Sequence, residues 1–392
     1  MNSQNTPVHI RLWHRDFWMM STALFLLSAS VYMLIPVMPV WLLETEHFNT
    51  LQTGVAMAIF AVGLFLPGCF CNYLVQRFRR NKVCVISIFL MTLCLSALYY
   101  LHGLSSQYVE VRVILLQRLL LGVTFGLAQM VLSSTLIIDA SESFRRTEAN
   151  HSSAWFARMA LSLGPMTGIV LFNYMGFDAV LLASMISALA SAALIMTVVI
   201  PFRTPDENLR VFSCDRFLLK PGMVLFANLL LISLSVGLLL SLGLSERFYA
   251  MMMAGFLLAL LAQRFVFRDA ELKSEVVSGL ILLLAAQLMI YSRPLPVVWY
   301  ISPVLMGLAV GICCSRFLLF FVKLSRHCQR GTSQSTYFLG WETGLSAGLA
   351  LGYGCFYEQP TMLIYTALAL TGSALLLYHF YTHQWFVRNK NR

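Results

Sequence analysis

Apolar runs of about 20 residues recur along the whole chain, and each is long enough to cross a hydrocarbon layer of about 30 Å as a helix. Of the 392 residues, 59% are hydrophobic and 11% are charged, whereas soluble domains carry about 25% charged residues. A water-soluble core could not bury so much apolar surface. We therefore expect an all-α membrane protein with twelve transmembrane helices, at about 17–43, 51–75, 83–103, 112–138, 152–173, 177–201, 222–244, 247–266, 276–292, 297–322, 332–356 and 361–382.

The connections between the runs are short, with one exception near the middle of the chain. The segment 201–221 is the most polar linker, and it divides the sequence into an N-terminal six-helix bundle at 1–200 and a C-terminal six-helix bundle at 222–392. A pattern of glycine, seven further residues and Gln-Arg-Phe ends both the second and the eighth run, with the members Gly68, Gln76 and Arg77 in the first copy and Gly255, Gln263 and Arg264 in the second. This repeat predicts two pseudo-symmetric halves with a substrate site between them, which is an architecture of secondary transporters.

The basic residues are distributed unevenly over the predicted loops. If the N-terminus is cytoplasmic, most of the 27 lysines and arginines fall on cytoplasmic segments, among them Arg77, Arg79, Arg80, Arg145 and Arg146. An excess of Lys and Arg in short cytoplasmic loops sets the orientation of a membrane protein, so we expect both termini in the cytoplasm. The net charge of +10 then reflects topology and an attraction to anionic lipid head groups, and it does not indicate nucleic-acid binding. The short loops favour the inner membrane of a bacterium.

Signatures of enzymes and metal sites are missing from the sequence. It contains no GxxxxGK[ST] phosphate-binding loop and no HExxH zinc motif, and no polar segment is long enough for a separate enzyme domain. The nine cysteines show no CxxC spacing, and most lie inside apolar runs, which favours small buried thiols over metal ligands. We therefore expect neither an enzyme nor a bound metal or cofactor.

One acidic residue lies deep inside a predicted helix. A charge in the hydrocarbon layer costs about 2.5–3.5 kcal/mol on insertion scales, so a buried charge requires an explanation. Glu342 lies about ten residues into the eleventh run, which is about 15 Å along a helix and near the midplane. Because burial disfavours a charged carboxylate, this acid is a candidate proton carrier. The alternative is a structural carboxyl group, paired with a buried cation or hydrogen-bonded between helices.

Arg158 is the basic counterpart of Glu342 in the other half. It lies about seven residues into the fifth run, and an alignment of Arg146 with Arg330 places it opposite Glu342. We hypothesise that both side chains face a central cavity, where Arg158 holds an anionic group of the substrate or modulates the proton affinity of Glu342. The alternative is an arginine that is satisfied by helix carbonyl groups.

Arg118 and three further residues form one face of the fourth helix. Gly122, Gly126 and Gln129 follow Arg118 at spacings of four, four and three, which places all four on the same side of a helix. The small residues allow another helix or a ligand to approach closely. The alternative for Arg118 is an extended side chain that reaches the outer membrane interface.

Arg316 has a simpler interpretation. It lies about seven residues before Lys323, near the cytoplasmic end of the tenth run. A long side chain reaches the membrane interface from this depth, so we expect Arg316 to extend to the interface.

Other polar and aromatic residues on the helices expected to line a cavity are candidates for substrate contacts. Aromatic rings could stack on a planar or apolar substrate, but the same residues also occur in ordinary helix packing. The candidates are Tyr32, Gln129, Trp155, Asn228 and Trp341.

At this point the chain resembles the major facilitator superfamily over all twelve predicted helices. Family members carry Asp-Arg-x-Gly-Arg-Arg/Lys in the loop after the second helix. The corresponding segment here is 76–82, with Gln76 in place of the acid, Arg79 in place of the glycine, and basic residues that include Arg77 and Arg80. The fourth run has Arg118 four residues before Gly122, as the family does.

The fifth run contains a Gly-Pro-x-x-Gly element that the family associates with exporters and antiporters. The resemblance implies that this element and the loop motif take part in conformational change, and that Arg118 takes part in proton coupling. It thereby assigns a conformational role to Gly68, Gln76, Arg77, Arg80, Gly122, Gly164, Pro165, Gly168, Gln263 and Arg264.

Together these features predict a monomeric transporter that exports a small organic molecule in exchange for protons, by alternating access within a lipid bilayer. Arg118 and Arg158 would make the cavity positive when Glu342 is protonated, which favours an anionic or zwitterionic substrate. One alternative is proton symport or facilitated uptake of a sugar, peptide or organic acid. Another is a membrane protein that senses or assembles without net transport.

Overall fold

The computed structural model describes residues 12–103, 110–199, 209–267, 271–292, 296–326 and 329–390, and within them every regular element is a helix. The first part of the predicted linker, 201–208, lies outside the described residues. Twelve long helices follow one another: α1 (Arg15–Glu44), α2 (Thr50–Phe65 with Gly68–Arg77), α3 (Arg80–His102), α4 (Val111–Asp139), α5 (Arg146–Met175), α6 (Phe177–Met196), α7 (Lys220–Leu240), α8 (Glu246–Phe265), α9 (Leu272–Ser292), α10 (Val298–Leu324), α11 (Arg330–Cys355) and α12 (Pro360–Asn389).

Most of these helices meet the requirements of a membrane span by length and composition. Among the described residues, ten are long and apolar enough, and α2 is an eleventh if its two segments count as one span. The remaining helix, α11, has 26 residues, which is ample length, but its first turns are rich in Ser, Thr and Gln. The all-α membrane fold predicted from hydropathy is confirmed.

The two halves pack in the same way. In the N-terminal half, α1 contacts α5 and α6, α2 contacts α4, and α3 contacts α4 and α6. The C-terminal half repeats this pattern, since α7 contacts α11 and α12, α8 contacts α10, and α9 contacts α10 and α12. The contacts between the halves are also equivalent, with α2 on α11 and α5 on α8. The fold is therefore two pseudo-symmetric six-helix bundles.

Glycines allow equivalent helix pairs to touch backbone to backbone. A Cβ atom added to Gly122 of α4 would lie 3.1 Å from the Cα atom of Gly63 in α2. A Cβ atom added to Gly307 of α10 would likewise lie 3.1 Å from the Cα atom of Gly255 in α8. Small residues at helix crossings permit this close approach.

The sequence repeat that ends α2 and α8 therefore does not coincide with the structural repeat. Its glycine in α8, Gly255, contacts Gly307, whereas its glycine in α2, Gly68, lies against the ring of Phe217 in the linker. The physical reason is a bend of 43° between the two segments of α2. It falls at Pro67, whose ring and missing N–H interrupt a helix.

The halves touch each other at both ends of the bundle. At the end where α1 begins and α12 ends, Gly331 of α11 lies against Ser134 of α4. At the opposite end, a Cβ atom added to Gly54 of α2 would lie 2.6 Å from the carbonyl oxygen of Ala350 and 2.8 Å from the Cα atom of Gly354. The halves are therefore in contact at both ends of the bundle.

Candidate functional site

Two cavities lie between the halves near the middle of the bundle. The larger one, here the Arg158 cavity, has about 470 Å³ of empty space, including the open space at its mouth. The smaller one, here the Arg118 cavity, has about 330 Å³ on the same measure. Tyr32 and Glu342 line both cavities. The other polar or aromatic residues that line the Arg158 cavity are Gln129, Ser133, Arg158, Gln334, Tyr337, Phe338 and Trp341.

Glu342 lies on α11 between the two cavities and is 2% exposed. The hydroxyl group of Tyr32, on α1, donates a hydrogen bond to its Oε1 atom. No basic group of the described residues lies within 4 Å of its carboxyl group. An ionised carboxylate without a partner is unfavourable in such an environment.

Arg158 lies on α5 and is 5% exposed. Its Nη1 atom donates a hydrogen bond of 2.8 Å to Ser315 Oγ on α10, and its guanidinium group lies 4.7 Å from the ring centroid of Trp155. The Nε and Nη2 atoms have no hydrogen-bond partner among the described residues. Buried donors without an acceptor are costly, so this guanidinium group is only partly satisfied by the protein.

Arg118 lies on α4 and is 4% exposed, so its side chain does not extend to the membrane interface. Its Nε atom donates a hydrogen bond of 3.3 Å to the carbonyl oxygen of Ala56, and its guanidinium group lies 4.9 Å from the ring centroid of Phe60. Both partners belong to α2. Arg118 therefore faces the smaller cavity, on the other side of Glu342 from Arg158.

Two glutamines bring unpaired oxygen atoms to the Arg158 cavity. Gln129 of α4 and Gln334 of α11 are each 4% exposed, and their Oε1 atoms have no hydrogen-bond partner among the described residues. Just beyond Gln129, α4 contains a π-helical turn at Leu132–Leu136, and Ser133 in that turn donates a hydrogen bond of 2.7 Å to the Gln129 carbonyl oxygen. Such turns are frequent at functional sites.

The structure separates the remaining candidates for substrate contact. Trp341 lines the Arg158 cavity, whereas Trp155 packs behind Arg158, against Gly311 of α10. Asn228 lies outside the cavity, because its Nδ2 atom donates to the Ala374 carbonyl oxygen at 3.2 Å and to Thr382 Oγ1 at 3.3 Å. Both acceptors belong to α12. Asn228 is therefore placed away from this cavity, and its contact with a substrate stays a prediction.

Arg316 corrects another expectation. Its Nε atom donates to a carboxylate oxygen of Glu275, in the first turn of α9, and the Glu275 side chain is 1% exposed. The partly buried Arg316 side chain therefore forms an ion pair with a buried carboxylate and does not stand free. Glu275 was missed because its position near a helix end resembled that of an interfacial acid.

The glycines of the Gly-Pro element bring α5 close to α1. A Cβ atom added to Gly164 would lie 2.9 Å from Tyr32 Cβ, and one added to Gly168 would lie 3.1 Å from Met33 Cα. Pro165 lies within the continuous helix α5. This crossing fixes the part of α1 that carries Tyr32, so it positions the hydroxyl group that contacts Glu342.

The loop motif after α2 is held within the N-terminal half. Gln76 Nε2 donates a hydrogen bond of 2.9 Å to Asn72 Oδ1 in the same helix, and Arg80 pairs with Asp139 at the end of α4. In the equivalent position of the other half, the Arg264 guanidinium group lies 5.8 Å from the Phe265 ring centroid. The ion pair between Arg80 and Asp139 thus joins α3 to α4 within one half.

Several members of the site were not found from the sequence, among them Ser315, Tyr337 and Gln334. Ser315 and Tyr337 are single polar residues in long apolar or mixed helices. Gln334 belongs to the polar run 332–336 in α11, and such a run inside a membrane helix was an available signal. Whether each of these three residues belongs to the site depends on which helix faces the cavity.

Known proteins share this arrangement of helices. A model of the Major Facilitator Superfamily matches residues 20–349. No curated protein matches the chain by sequence.

Solved structures match it over nearly its whole length. An auto-inhibited peptide transporter of the POT family has a TM-score of 0.69 and 9% identity, covering 97% of this chain and 98% of its own. The human organic anion transporter TETRAN has a TM-score of 0.67 and 16% identity, covering 92% of this chain and 98% of its own. A bacterial homologue of the iron transporter ferroportin, in an outward-facing state, has a TM-score of 0.65 and 16% identity, covering 95% of this chain and 99% of its own. These TM-scores show a shared fold, and the family model that matches residues 20–349 shows that the chain belongs to the major facilitator superfamily, a family of membrane transporters.

Proposed function

We propose that the chain is a proton-coupled secondary transporter of a small organic molecule, in which Glu342 carries the proton. The observation that carries this proposal is the position of Glu342, which is buried and without a basic partner among the described residues and lines both cavities. Closure around an unpaired carboxylate is unfavourable, whereas the neutral acid can be enclosed. An opening that admits water allows the acid to lose its proton.

The contacts between the halves support alternating access. At each end of the bundle the halves meet through small residues, with Gly331 against Ser134 at one end and Gly54 against Gly354 at the other. Such surfaces can separate without removing large interdigitated side chains. The two rigid halves can then rock about the central cavities and open one end at a time.

Further roles follow from the same proposal. Arg118 takes part in coupling from the smaller cavity, and Arg158, Tyr32, Gln129 and Trp341 contact the substrate, with Trp155 supporting Arg158. The loop residues, the paired glycines and the Gly-Pro element guide the motion of the halves. The protein acts as a monomer in a bacterial inner membrane, with both termini in the cytoplasm and the halves bounded at 200 and 222.

Export in exchange for protons is the direction favoured by the Gly-Pro element of α5. Exchange requires substrate and proton to compete for the site, which a cationic substrate does by taking the charged form of Glu342 as its partner. Uptake by proton symport is the second candidate. It is favoured by the presence of Arg158 in the same cavity as Glu342, because an anion beside Arg158 is compatible with a protonated neighbour.

Proton movement in vesicles tests the proposal. The chain is reconstituted with a pH-sensitive dye in the lumen and no initial gradient, and solutes of different charge are added outside. Entry of a transported solute makes the lumen alkaline under exchange and acidic under symport. We expect one of these responses in the wild type and none in Glu342→Gln.

The matched control is Glu358→Gln, which changes an exposed acid just beyond the end of the same helix and should behave as the wild type. Thermal unfolding of both variants establishes that they are folded. A solute flux that is unchanged by the pH gradient and by Glu342→Gln would contradict the role of Glu342.

A further inference from the structure

We propose that the Arg158 cavity binds a small organic anion with one negative charge, and that this anion and the proton on Glu342 move in the same direction. This inference rests on the proposed function in its second form, proton symport, since it names the substrate class and the sign of coupling at the same site. It is carried by the unsatisfied polar atoms of the cavity and by the charges around Glu342.

The guanidinium group of Arg158 has donors available for an acceptor from outside the protein. Ser315 occupies Nη1, but Nε and Nη2 have no partner among the described residues, and the side chain is almost fully buried. Adjacent N–H groups of a guanidinium form a planar fork that matches a carboxylate. Trp155 covers one face of the group, which restricts where an acceptor can approach.

The rest of the cavity indicates the body of the ligand. The unpaired Oε1 atoms of Gln129 and Gln334 accept hydrogen bonds, so they suit hydroxyl or N–H groups on the ligand. Phe338 and Trp341 contribute aromatic surface. A hydroxy acid with an apolar or aromatic body meets all of these features.

The charge balance limits the ligand to one negative charge. Arg158 is the only charged residue besides Glu342 among the described residues that line this cavity. Arg118 lies in the second cavity and contacts α2. A monoanion therefore neutralises the enclosed Arg158, while a cation would add a second positive charge.

The sign of the coupling follows from the groups that face Glu342. Those that are titratable or charged are Tyr32 from α1, Arg118 from α4, Arg158 from α5 and Tyr337 from α11 itself, while α2 contributes the uncharged Met57 and Phe60. An ionised Glu342 repels an anion in the same cavity, so protonation of Glu342 favours anion binding. Linkage makes this effect reciprocal, which is the condition for symport.

Binding to the purified full-length chain in lipid nanodiscs tests the inference without a gradient. The probes are mandelate, phenylacetate, phenylacetamide and phenethylamine, titrated by calorimetry. We expect mandelate to bind best, phenylacetate next, and the amide and amine at least roughly tenfold more weakly, because hydrogen bonds to a charged group are strong.

Variants and pH complete the test. Arg158→Gln should weaken mandelate binding at least roughly tenfold, Arg158→Lys less, and the exposed control Arg112→Gln not at all. Affinity should fall as pH rises, and this dependence should disappear in Glu342→Gln. Thermal unfolding of each variant shows whether a loss of binding reflects a loss of fold.

Other outcomes separate the two proposals. Tighter binding of the amine, with affinity that rises with pH, would overturn the anion inference while leaving Glu342 as the proton carrier. The inference would also be contradicted if neither mandelate nor phenylacetate bound to the chain. Acid binding that depends on Arg158 but not on pH would retain the anion site and contradict the coupling to Glu342.

Discussion

Arg316, which is partly buried, and Arg158, which is buried, lie on neighbouring helices, and they differ in the partners that the protein gives them. Arg316 of α10 pairs with Glu275 of α9 inside the C-terminal half. Arg158 of α5 donates a hydrogen bond to Ser315 across the two halves, interacts with the Tyr337 hydroxyl group, and has two nitrogen atoms without hydrogen-bond partners among the described residues. Burial alone therefore does not identify a functional charge. A fully paired charge holds a fold together, whereas a partly satisfied charge leaves interaction energy for a ligand.

The largest effect is expected from a variant that breaks the ion pair between Arg316 and Glu275. Glu275→Gln leaves Arg316 without its carboxylate, and removal of one partner of a buried ion pair costs about 3–5 kcal/mol. We expect a large fall in the thermal unfolding temperature in detergent. The double variant Glu275→Gln/Arg316→Met should recover most of the loss, and a single variant as stable as the wild type would contradict the structural role.

A somewhat smaller effect concerns the seam between the halves. Gly54→Val places a side chain against Ala350 and Gly354, where an added Cβ atom already lies within 3 Å of backbone atoms. Overpacking costs about 1–3 kcal/mol, and separation of α2 from α11 relieves it. Spin-label distances across this end should lengthen, while those across the Gly331 end should not. Gly103→Val, at a glycine without close neighbours from other helices, is the control.

Tyr32→Phe should have a smaller effect. It removes the hydrogen bond to Glu342 and keeps the ring, so the closed state loses about 1 kcal/mol. We expect faster opening by spin-label distance measurements and a moderate fall in proton-coupled transport. Tyr365→Phe, which changes an exposed tyrosine, should have no effect on either measurement.

The smallest effect on stability is expected from substitution of Arg158. Arg158→Gln removes a charge that the protein only partly satisfies, so the free energy of unfolding should change by less than about 1 kcal/mol or increase. Binding of the organic anion should nevertheless be lost. A destabilisation as large as that of Glu275→Gln would show that Arg158 is structural.

The sequence predicted the helices well, because hydropathy and length determine where a chain can cross a bilayer. Each described helix lies within a few residues of its predicted run, except that α5 begins six residues earlier and α12 ends seven residues later. The polar α11 was also predicted, although its composition is the least typical of a membrane helix. The equivalence of the halves followed from their shared glycine and arginine spacings.

The contacts of the charged residues could be predicted only in part. The deep positions of Glu342 and Arg158 followed from helix length, but their hydrogen-bond partners are 310 and 157 residues away in sequence. The pattern within one helix does not determine which side chain of another helix it meets. The same limitation explains why Asn228 was assigned to the cavity and why Glu275 was not paired with Arg316.

The two hydrogen bonds of the central charges have a further consequence, because each crosses from one half to the other. Tyr32 of the first half donates a hydrogen bond to Glu342 of the second, and Ser315 of the second half accepts a hydrogen bond from Arg158 of the first. Neither half alone holds a complete set of contacts. In a cycle that parts the halves, the site is assembled at each closure and taken apart at each opening, so tight capture and easy release of a solute are obtained from the same few side chains.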